Sequence, residues 1–421
     1  MNEAAPPTPP IPLYRNRDYM LLWSGQVVSV LGSSIAGLVM PLLILGLTGS
    51  PAAAGVAGMF ATIPYVLLSL PAGAMVDRWD RKRVMVLCDL GRAAAFASVP
   101  VAIFLDVLTI WQIYAVALVE GTLFVFFNIA EVAALPRVVP KAQMGDATAQ
   151  NMATFGAAGL VGPGLGGFLY QSVGRMVPFI VDAVSYLISA ISLVLIKARF
   201  QEERKRSSRN LRGEIGEGLA WMWNEPLIRL TSFLSGGLNL IGAGSFLIVI
   251  LLAKEMGADE ASTGAIFSVA AVGGIVGAAL GGRIHRRFAI GKIIMATTWT
   301  TVLAFPLYAF APNVWVLGII SGITFFTVPV YSVAVLSYRL VLIPDALQGR
   351  VNSAVRLLAF GFQPLGSALA GLLLENIGSI PTVWVFSAIT LSLGLIVAFT
   401  PTLRNARVEV EEVRPQEAAI G

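Results

Sequence analysis

Residues 73 to 83 read GAMVDRWDRKR. Two aspartates and four cations are packed into one turn-sized segment between two long apolar runs, at about 54–76 and 84–105. A helix needs about 20 apolar residues to cross the hydrocarbon core of a bilayer. Both runs are long enough, so the charged segment reads as a short loop joining two membrane-spanning helices. The rest of the chain repeats the pattern. Twelve such runs are found: 19–46, 54–76, 84–105, 110–135, 147–170, 177–197, 227–253, 261–282, 291–311, 313–339, 351–374 and 381–400. They are too long for barrel strands and lack the alternation of period two that a barrel requires.

Composition agrees. Of 421 residues 56% are hydrophobic and 13% charged, against roughly 25% charged in a soluble domain. The net charge of +5 suits either nucleic acid or a membrane surface, and the placement of the cations decides. With the N-terminus inside, the inner loops and helix ends hold Arg15, Arg17, the 78–83 cluster, Arg137, Lys141, the 197–229 run, the 283–292 cluster and the arginines after 400, whereas the outer side holds Arg175 and Lys254. This asymmetry is the positive-inside pattern. It predicts both termini in the cytoplasm, a location in the cytoplasmic (inner) membrane, and no nucleic-acid partner. The single cysteine, Cys88, excludes an intrachain disulfide. The Pro-rich start, MNEAAPPTPPIPLYRNRDY, has no short apolar h-region and reads as a tail, not a cleaved signal.

The expected organisation is a cytoplasmic tail (1–18), a six-helix bundle (19–197), a cytoplasmic linker (198–226), a second six-helix bundle (227–400) and a closing tail (401–421). Within the linker, apolar Ile215, Leu219 and Met222 predict a short amphipathic helix on the inner membrane surface. Six plus six suggests duplication. At a constant offset of 204, Pro140, Gly145, Gly162, Leu165, Gly167 and Leu169 match Pro344, Gly349, Gly366, Leu369, Gly371 and Leu373. The matches enter and cross the fifth span of each half. The loop GGRIHRRFAIGK (281–292) stands where 73–83 stands in the first half, with His285 at the position of Asp77.

The opening segment resembles the loop signature between the second and third spans of the major facilitator superfamily, roughly G-x-x-x-D-R-x-G-R-K/R. Gly73, Asp77, Arg78, Arg81 and Lys82 fit, while Asp80 stands where the common pattern has Gly. The form DR-x-D-R-K/R is similar to that of the macrolide, drug and siderophore exporters, as are LLWSGQVVSVLGSSI in span 1, DLGRA in span 3 and FIVDAVSYL in span 6. The resemblance implies a fold of twelve helices in two pseudo-symmetric bundles rocking about a central site. It implies that Asp77 latches the halves on the cytoplasmic side, facing the N-terminus of span 11 near Gly349, with Arg81 and Lys82 making further pairs. Arg78 serves this latch or topology alone. Gly73 allows two helices to pack closely.

GLVGPGLGG (159–167) resembles the family's span 5 antiporter signature through Gly162, Pro163, Gly166 and Gly167; the resemblance implies export, while general helix packing is the plainer reading.

Ionisable groups inside spans are expensive and mark function by default. Glu120 lies roughly 15 Å along span 4, near the midplane and without a cation close in sequence, placed to exchange a proton with the cavity or to tie span 4 to a neighbour. Phe124, Phe127 and Glu131 follow at helical spacing. Asp182 in span 6, continued by Ser185, Ser189 and Ser192, is the second coupling candidate or a structural aspartate. Asp89 and Arg92 in span 3 read as a structural inner-side pair. Gln26, Phe124, Asn239, Thr327, Tyr331 and Gln363 are candidates to line a cavity suited to an amphipathic substrate, or helix contacts. With one His and one Cys, zinc sites and hydrolytic triads are not expected, nor is a metal or cofactor. The predicted function is proton-coupled antiport exporting a drug, macrolide-like compound or siderophore, by a monomer whose partners are the substrate, protons and lipid. A lipid flippase, an uncoupled facilitator and a non-transporting sensor or scaffold are the alternatives; an enzyme is not expected.

Overall fold

The computed structural model describes residues 12–201, 211–344 and 347–404. The expectations for 1–11, 202–210 and 405–421 lie outside the described residues. Twelve helices are long and apolar enough to cross a membrane. The first six are α1 (Arg17–Thr48), α2 (Pro51–Val76), α3 (Arg81–Phe104), α4 (Ile110–Val138), α5 (Met144–Ser172) and α6 (Val177–Leu195). A short helix, α7 (Leu211–Asn224), precedes α8 (Pro226–Glu255), α9 (Glu260–Arg287), α10 (Ile290–Ala304), α11 (Val314–Leu342), α12 (Gln348–Gly361), α13 (Gln363–Ile377), α14 (Ser379–Phe399) and α15 (Pro401–Arg404). Alternate crossing places both ends of the described chain on the face that carries the 78–83 cations, called here the basic face. The other is the far face.

Turn chemistry explains where the helices begin. Asp80, which departs from the family pattern, is the N-cap of α3, its Oδ1 accepting from the Arg83 amide at 2.9 Å. Such caps satisfy backbone donors that the first turn leaves unpaired. Ser50, Thr109, Asp259 and Asn313 cap α2, α4, α9 and α11 in the same way.

Span 11 was expected to be continuous over 351–374. It breaks at Phe362 into α12 and α13. Pro364 supplies no backbone donor to the turn before it, which interrupts the ladder. Span 9 similarly passes from α10 into a 3-10 turn, Phe305–Phe310, that contains Pro306.

The amphipathic helix of the linker is present, but the surroundings of its apolar side are protein. Met222 is 1% exposed and shares an apolar cluster with Ile228, Ile343, Val351 and Val355, with Leu219 packed against it. A Cβ on Gly218 would sit 2.6 Å from the Arg350 carbonyl oxygen, so α7 lies directly on α12. The correction has a simple cause: span 11 begins in an apolar patch that needs covering.

The 204-residue repeat is a structural one. Gly162 of α5 lies against Ser34 of α1, and its match Gly366 lies against Leu240 of α8, where an added Cβ would be 2.4 and 2.1 Å from the nearest atom. Gly167 faces the Glu260 carbonyl at the start of α9, and its match Gly371 faces the Pro51 carbonyl at the start of α2, at 2.1 and 2.7 Å. The first pair packs within a bundle, the second between bundles.

Candidate functional site

Contacts between the bundles are tightest toward the far face. The Gln171 amide Nε2 donates to Asp259 Oδ2 at 3.0 Å, and its Oε1 accepts from the Ala261 amide at 3.2 Å. Glu375, 204 residues later, does the corresponding thing on α2: its Oε2 accepts from the Ser50 hydroxyl and, at 2.9 Å, from the Ala52 amide. Each bundle thus caps the first turn of the other bundle's second span. Toward the basic face the approach is looser. A Cβ on Gly73, Gly145 or Gly349 would meet nothing within 4 Å, so no helix packs closely against Gly73 in this conformation.

Behind the seal lies a cavity of about 220 Å³. Ser33, Ala36 and Met40 of α1, Ala57 and Ala61 of α2, Phe96 of α3, Glu120 of α4, Asp182 and Tyr186 of α6, Phe246 of α8 and Ser367 of α13 are among its lining residues. The lining is mostly apolar, and its ionisable groups come from the first bundle.

Those polar groups form one network. Arg92 Nη2 donates to Glu120 Oε1 at 3.0 Å and its Nη1 lies 3.8 Å from Asp89 Oδ1. Its guanidinium stands 4.0 Å from the centre of the Tyr186 ring and 5.7 Å from that of Phe124. The Tyr186 hydroxyl shares a 2.8 Å hydrogen bond with Ser33. Asp182 accepts from Ser185 through Oδ1 at 3.2 Å, while its buried Oδ2 has no hydrogen-bond partner. Three helices, α3, α4 and α6, therefore meet around the guanidinium of Arg92, a residue only 4% exposed, and α1 joins through Ser33. A buried charge of this kind is tolerable when carboxylates surround it.

Two expectations change here. Glu120 is not a lone carboxylate, because its cation arrives from α3, 28 residues away. Arg92 is not confined to an inner-side pair with Asp89, since it reaches the cavity wall. Arg92, Tyr186, Phe96 and Phe246 went unrecognised as site residues. The Arg92 charge inside an apolar span was the available signal; its spacing to Asp89 marks a true partner, but not the nearer one, Glu120.

None of the six residues expected to line a substrate cavity lines this one. Gln26 is buried at 8% exposure. Tyr331 bonds Ser235 at 2.9 Å and the Thr231 carbonyl at 3.2 Å. Thr327 bonds the Thr324 carbonyl at 2.7 Å. Asn239 donates to the Ser235 carbonyl at 2.9 Å and accepts from Gln363 at 3.1 Å. Phe124 stands over Arg92. Thr327, Tyr331 and Asn239 satisfy themselves against nearby carbonyls, as polar side chains in apolar helices can, whereas the buried Gln26 Nε2 has no hydrogen-bond partner. Ser185 and Ser192 likewise face Gly32 and Gly25 of α1.

The loop cluster is also resolved into separate tasks. Arg81 Nη2 pairs with Asp77 Oδ1 at 3.3 Å, and its Nη1 donates to the carbonyls of Ala133 and Phe200 at 3.0 and 3.3 Å. Lys82 Nζ donates to the Val194 and Ile196 carbonyls at 2.9 and 2.6 Å, closing the end of α6. Cations at a helix C-terminus are favourable on both hydrogen-bonding and dipole grounds. The further pairs expected of Arg81 and Lys82 are thus largely with backbone carbonyls. Arg78 is exposed.

In the span 5 run, Gly162 and Gly166 face α1, whereas Pro163, Gly164 and Gly167 face Gly264, Ser268 and Glu260 of α9. Gly159 has nothing within 4 Å of an added Cβ.

The family model described as Major Facilitator Superfamily matches residues 22–362. The chain belongs to that superfamily. This major facilitator transporter is 28% identical over 403 residues to the multidrug efflux pump Tap of Mycolicibacterium fortuitum, covering 92% of this chain and 96% of that one. It is 25% identical over 203 residues to macrolide efflux protein A of Streptococcus pyogenes, covering 48% and 50%. Among solved structures it resembles a bacterial homologue of the iron transporter ferroportin in an inward-facing state, with TM-score 0.72, 16% identity and coverage of 92% and 99%. It also resembles the nucleoside transporter NupG, with TM-score 0.70, 14% identity and coverage of 90% and 98%. At these identities the structural likeness concerns the fold.

Proposed function

We propose that this transporter exports an amphipathic small molecule of the drug, macrolide or siderophore type from the cytoplasm, in exchange for protons, by alternating access. The basic face is cytoplasmic on this reading, both termini lie inside, and the described state is inward-facing. The carrying observation is the Arg92–Glu120 ion pair at the wall of an apolar cavity that is sealed on the far face. An apolar lining with few convergent polar groups suits an amphipathic ligand. Carboxylates in excess of the one cation give protons a place to bind: Asp89 and Glu120 pair with Arg92, and Asp182 lines the same cavity. Relatives named as multidrug and macrolide efflux proteins support the direction and substrate class. Glu120 and Asp182 are the coupling groups. Asp77, Arg78, Arg81 and Lys82 organise the cytoplasmic latch that forms when the bundles close on that side, where Gly73 gains a neighbour.

The test is accumulation of ethidium and of a macrolide in cells expressing wild type, Glu120→Gln and Asp182→Asn, with and without a protonophore. Wild type lowers accumulation, the protonophore abolishes the effect, and both variants fail at normal membrane levels. If wild type moves neither compound but moves labelled lipid in vesicles without a pH gradient, the protein is a flippase and the export reading fails.

A further inference from the structure

Two arginines in the second bundle are left over by everything above. Arg339 lies in the last turn of α11 and Arg356 about 12 Å along α12 from Gln348, at about 1.5 Å per residue. Their neighbourhoods are joined, since Tyr338 and Leu342 of α11 and Val351, Val355 and Leu358 of α12 belong to one apolar cluster. Other arginines near the two cores are paired: Arg92 with Glu120 and Asp89, and Arg350, also on α12, with Glu217 of α7. Among the described residues neither Arg339 nor Arg356 has a carboxylate. The buried Arg339 Nε makes no hydrogen bond, and Arg356 is near enough to act on its charge, after burial and Tyr331. The nearby Tyr331 hydroxyl is already committed to Ser235 and Thr231. Arg356 is exposed, and its guanidinium stands 5.9 Å from the ring centre of Tyr65. Tyr65 belongs to α2 of the first bundle and sets its ring edge-on to Phe360 at 5.3 Å.

Like charges held together at the edge of a low-dielectric region repel strongly. Unpaired cations within spans are costly. The arrangement is satisfied by an anion. Guanidinium groups are suited to that task, because their planar forks hold phosphate or carboxylate oxygens by two parallel bonds.

We propose that Arg339 and Arg356, with Tyr65 beside Arg356 across the bundle boundary, bind the phosphate group of an anionic ligand. The inference does not depend on the export reading. The phosphate comes from a phospholipid headgroup or from a free phosphate species, and it lies where it touches both bundles. An occupant there braces the present arrangement on the basic-face side, where protein contacts are loosest.

The probes are inorganic phosphate and mixed micelles containing phosphatidylglycerol or phosphatidylcholine, with sodium chloride matching the ionic strength. The readout is the thermal unfolding midpoint of the purified full chain. For wild type, phosphatidylglycerol or phosphate raises the midpoint saturably, while phosphatidylcholine and chloride do not. Arg356→Gln and Arg339→Gln each weaken the apparent affinity by about tenfold or more, the loss of one charge-assisted fork, and Arg356→Lys recovers part of it. A response to inorganic phosphate assigns a free phosphate species; a response to phosphatidylglycerol alone assigns a lipid headgroup. Either supports the site. If neither probe shifts wild type, or if both Gln variants respond as wild type does, no phosphate site exists there. Should one Gln variant fail to fold, the other decides: unchanged affinity refutes the site.

Discussion

A methyl group on Gly167 would force the far face open. The Cβ of Gly167→Ala would lie 2.1 Å from the Glu260 carbonyl oxygen, 2.8 Å from its carbon and 3.2 Å from Ala261 Cα, all backbone atoms of α9. Nothing there can rotate aside. Reaching ordinary contact at 3.4 Å needs a separation of about 1.3 Å between α5 and α9. The same movement stretches the Gln171 bonds to Asp259 and Ala261, now 3.0 and 3.2 Å, beyond hydrogen-bonding range. Overpacking costs about 1–3 kcal/mol, and each lost bond roughly 0.5 kcal/mol or more. Together the sealed state loses about 2–4 kcal/mol, which moves the equilibrium by roughly thirty- to several-hundredfold. The assay is the distance distribution between spin labels on Val173→Cys and Met256→Cys, two exposed positions flanking the seam. In the Cys88→Ser background, Gly167→Ala should replace the short distance with a longer population. Gly371→Ala, whose Cβ would lie 2.7 Å from the Pro51 carbonyl, should act in the same direction but less. A folded Gly167→Ala protein with the wild-type distribution would show that this glycine is not what permits the seal.

Four further outcomes are expected. In a double-mutant cycle of Arg92→Gln and Glu120→Gln, followed by unfolding in denaturing detergent, the coupling should be about 1.5–3 kcal/mol, as for a charge-assisted bond in a partly buried pair; coupling below about 0.5 kcal/mol would mean the 3.0 Å contact contributes little. Asp80→Ala should cost about 1 kcal/mol in the same measurement through loss of the α3 cap, and Asp80→Asn nearly nothing. Hydrogen bonds from Ser262 and Gln171 hold the Asp259 carboxyl below its usual range. A depressed folded value means its contribution is present at neutral pH and is lost only as pH falls through that value. The Val173–Met256 label distance should therefore stay constant from neutral pH down to about pH 4 and lengthen only below it, where Asp259→Asn removes that dependence. Finally, Pro364→Ala should restore a donor at the break in span 11, read as slowed amide exchange near Phe360, with exchange unchanged if the break has another cause.

Much of the architecture is written locally in the chain. Apolar runs and capping residues mark each span, so the expected 110–135 became Ile110–Val138 and the offset of 204 found two glycine pairs with matching contacts. A side chain in a single span is legible when its partner is its own backbone. The site depends on side chains that meet from different helices. Glu120 and Arg92 are far apart in sequence, and no periodicity in span 4 reveals a guanidinium supplied by span 3. The polar stripes show the same limit: Thr327 and Tyr331 have the spacing of a cavity wall, yet only the neighbouring helix determines whether that wall faces space or packing. Pro364 was visible, but a proline in a span permits a kink or a full break, and the packing around Phe362 chooses.

The two caps across the far face have the same geometry and different chemistry. One is an amide, Gln171, which carries no charge at any pH the cell meets. The other is a carboxylate, Glu375, gripping Ser50 and Ala52 from the equivalent position. A proton therefore reaches the second cap through the gripping side chain itself and the first only through its partner, Asp259. The mouth of the protein thus has one edge gripped by a neutral side chain that both donates and accepts, and one gripped by a charge that only accepts.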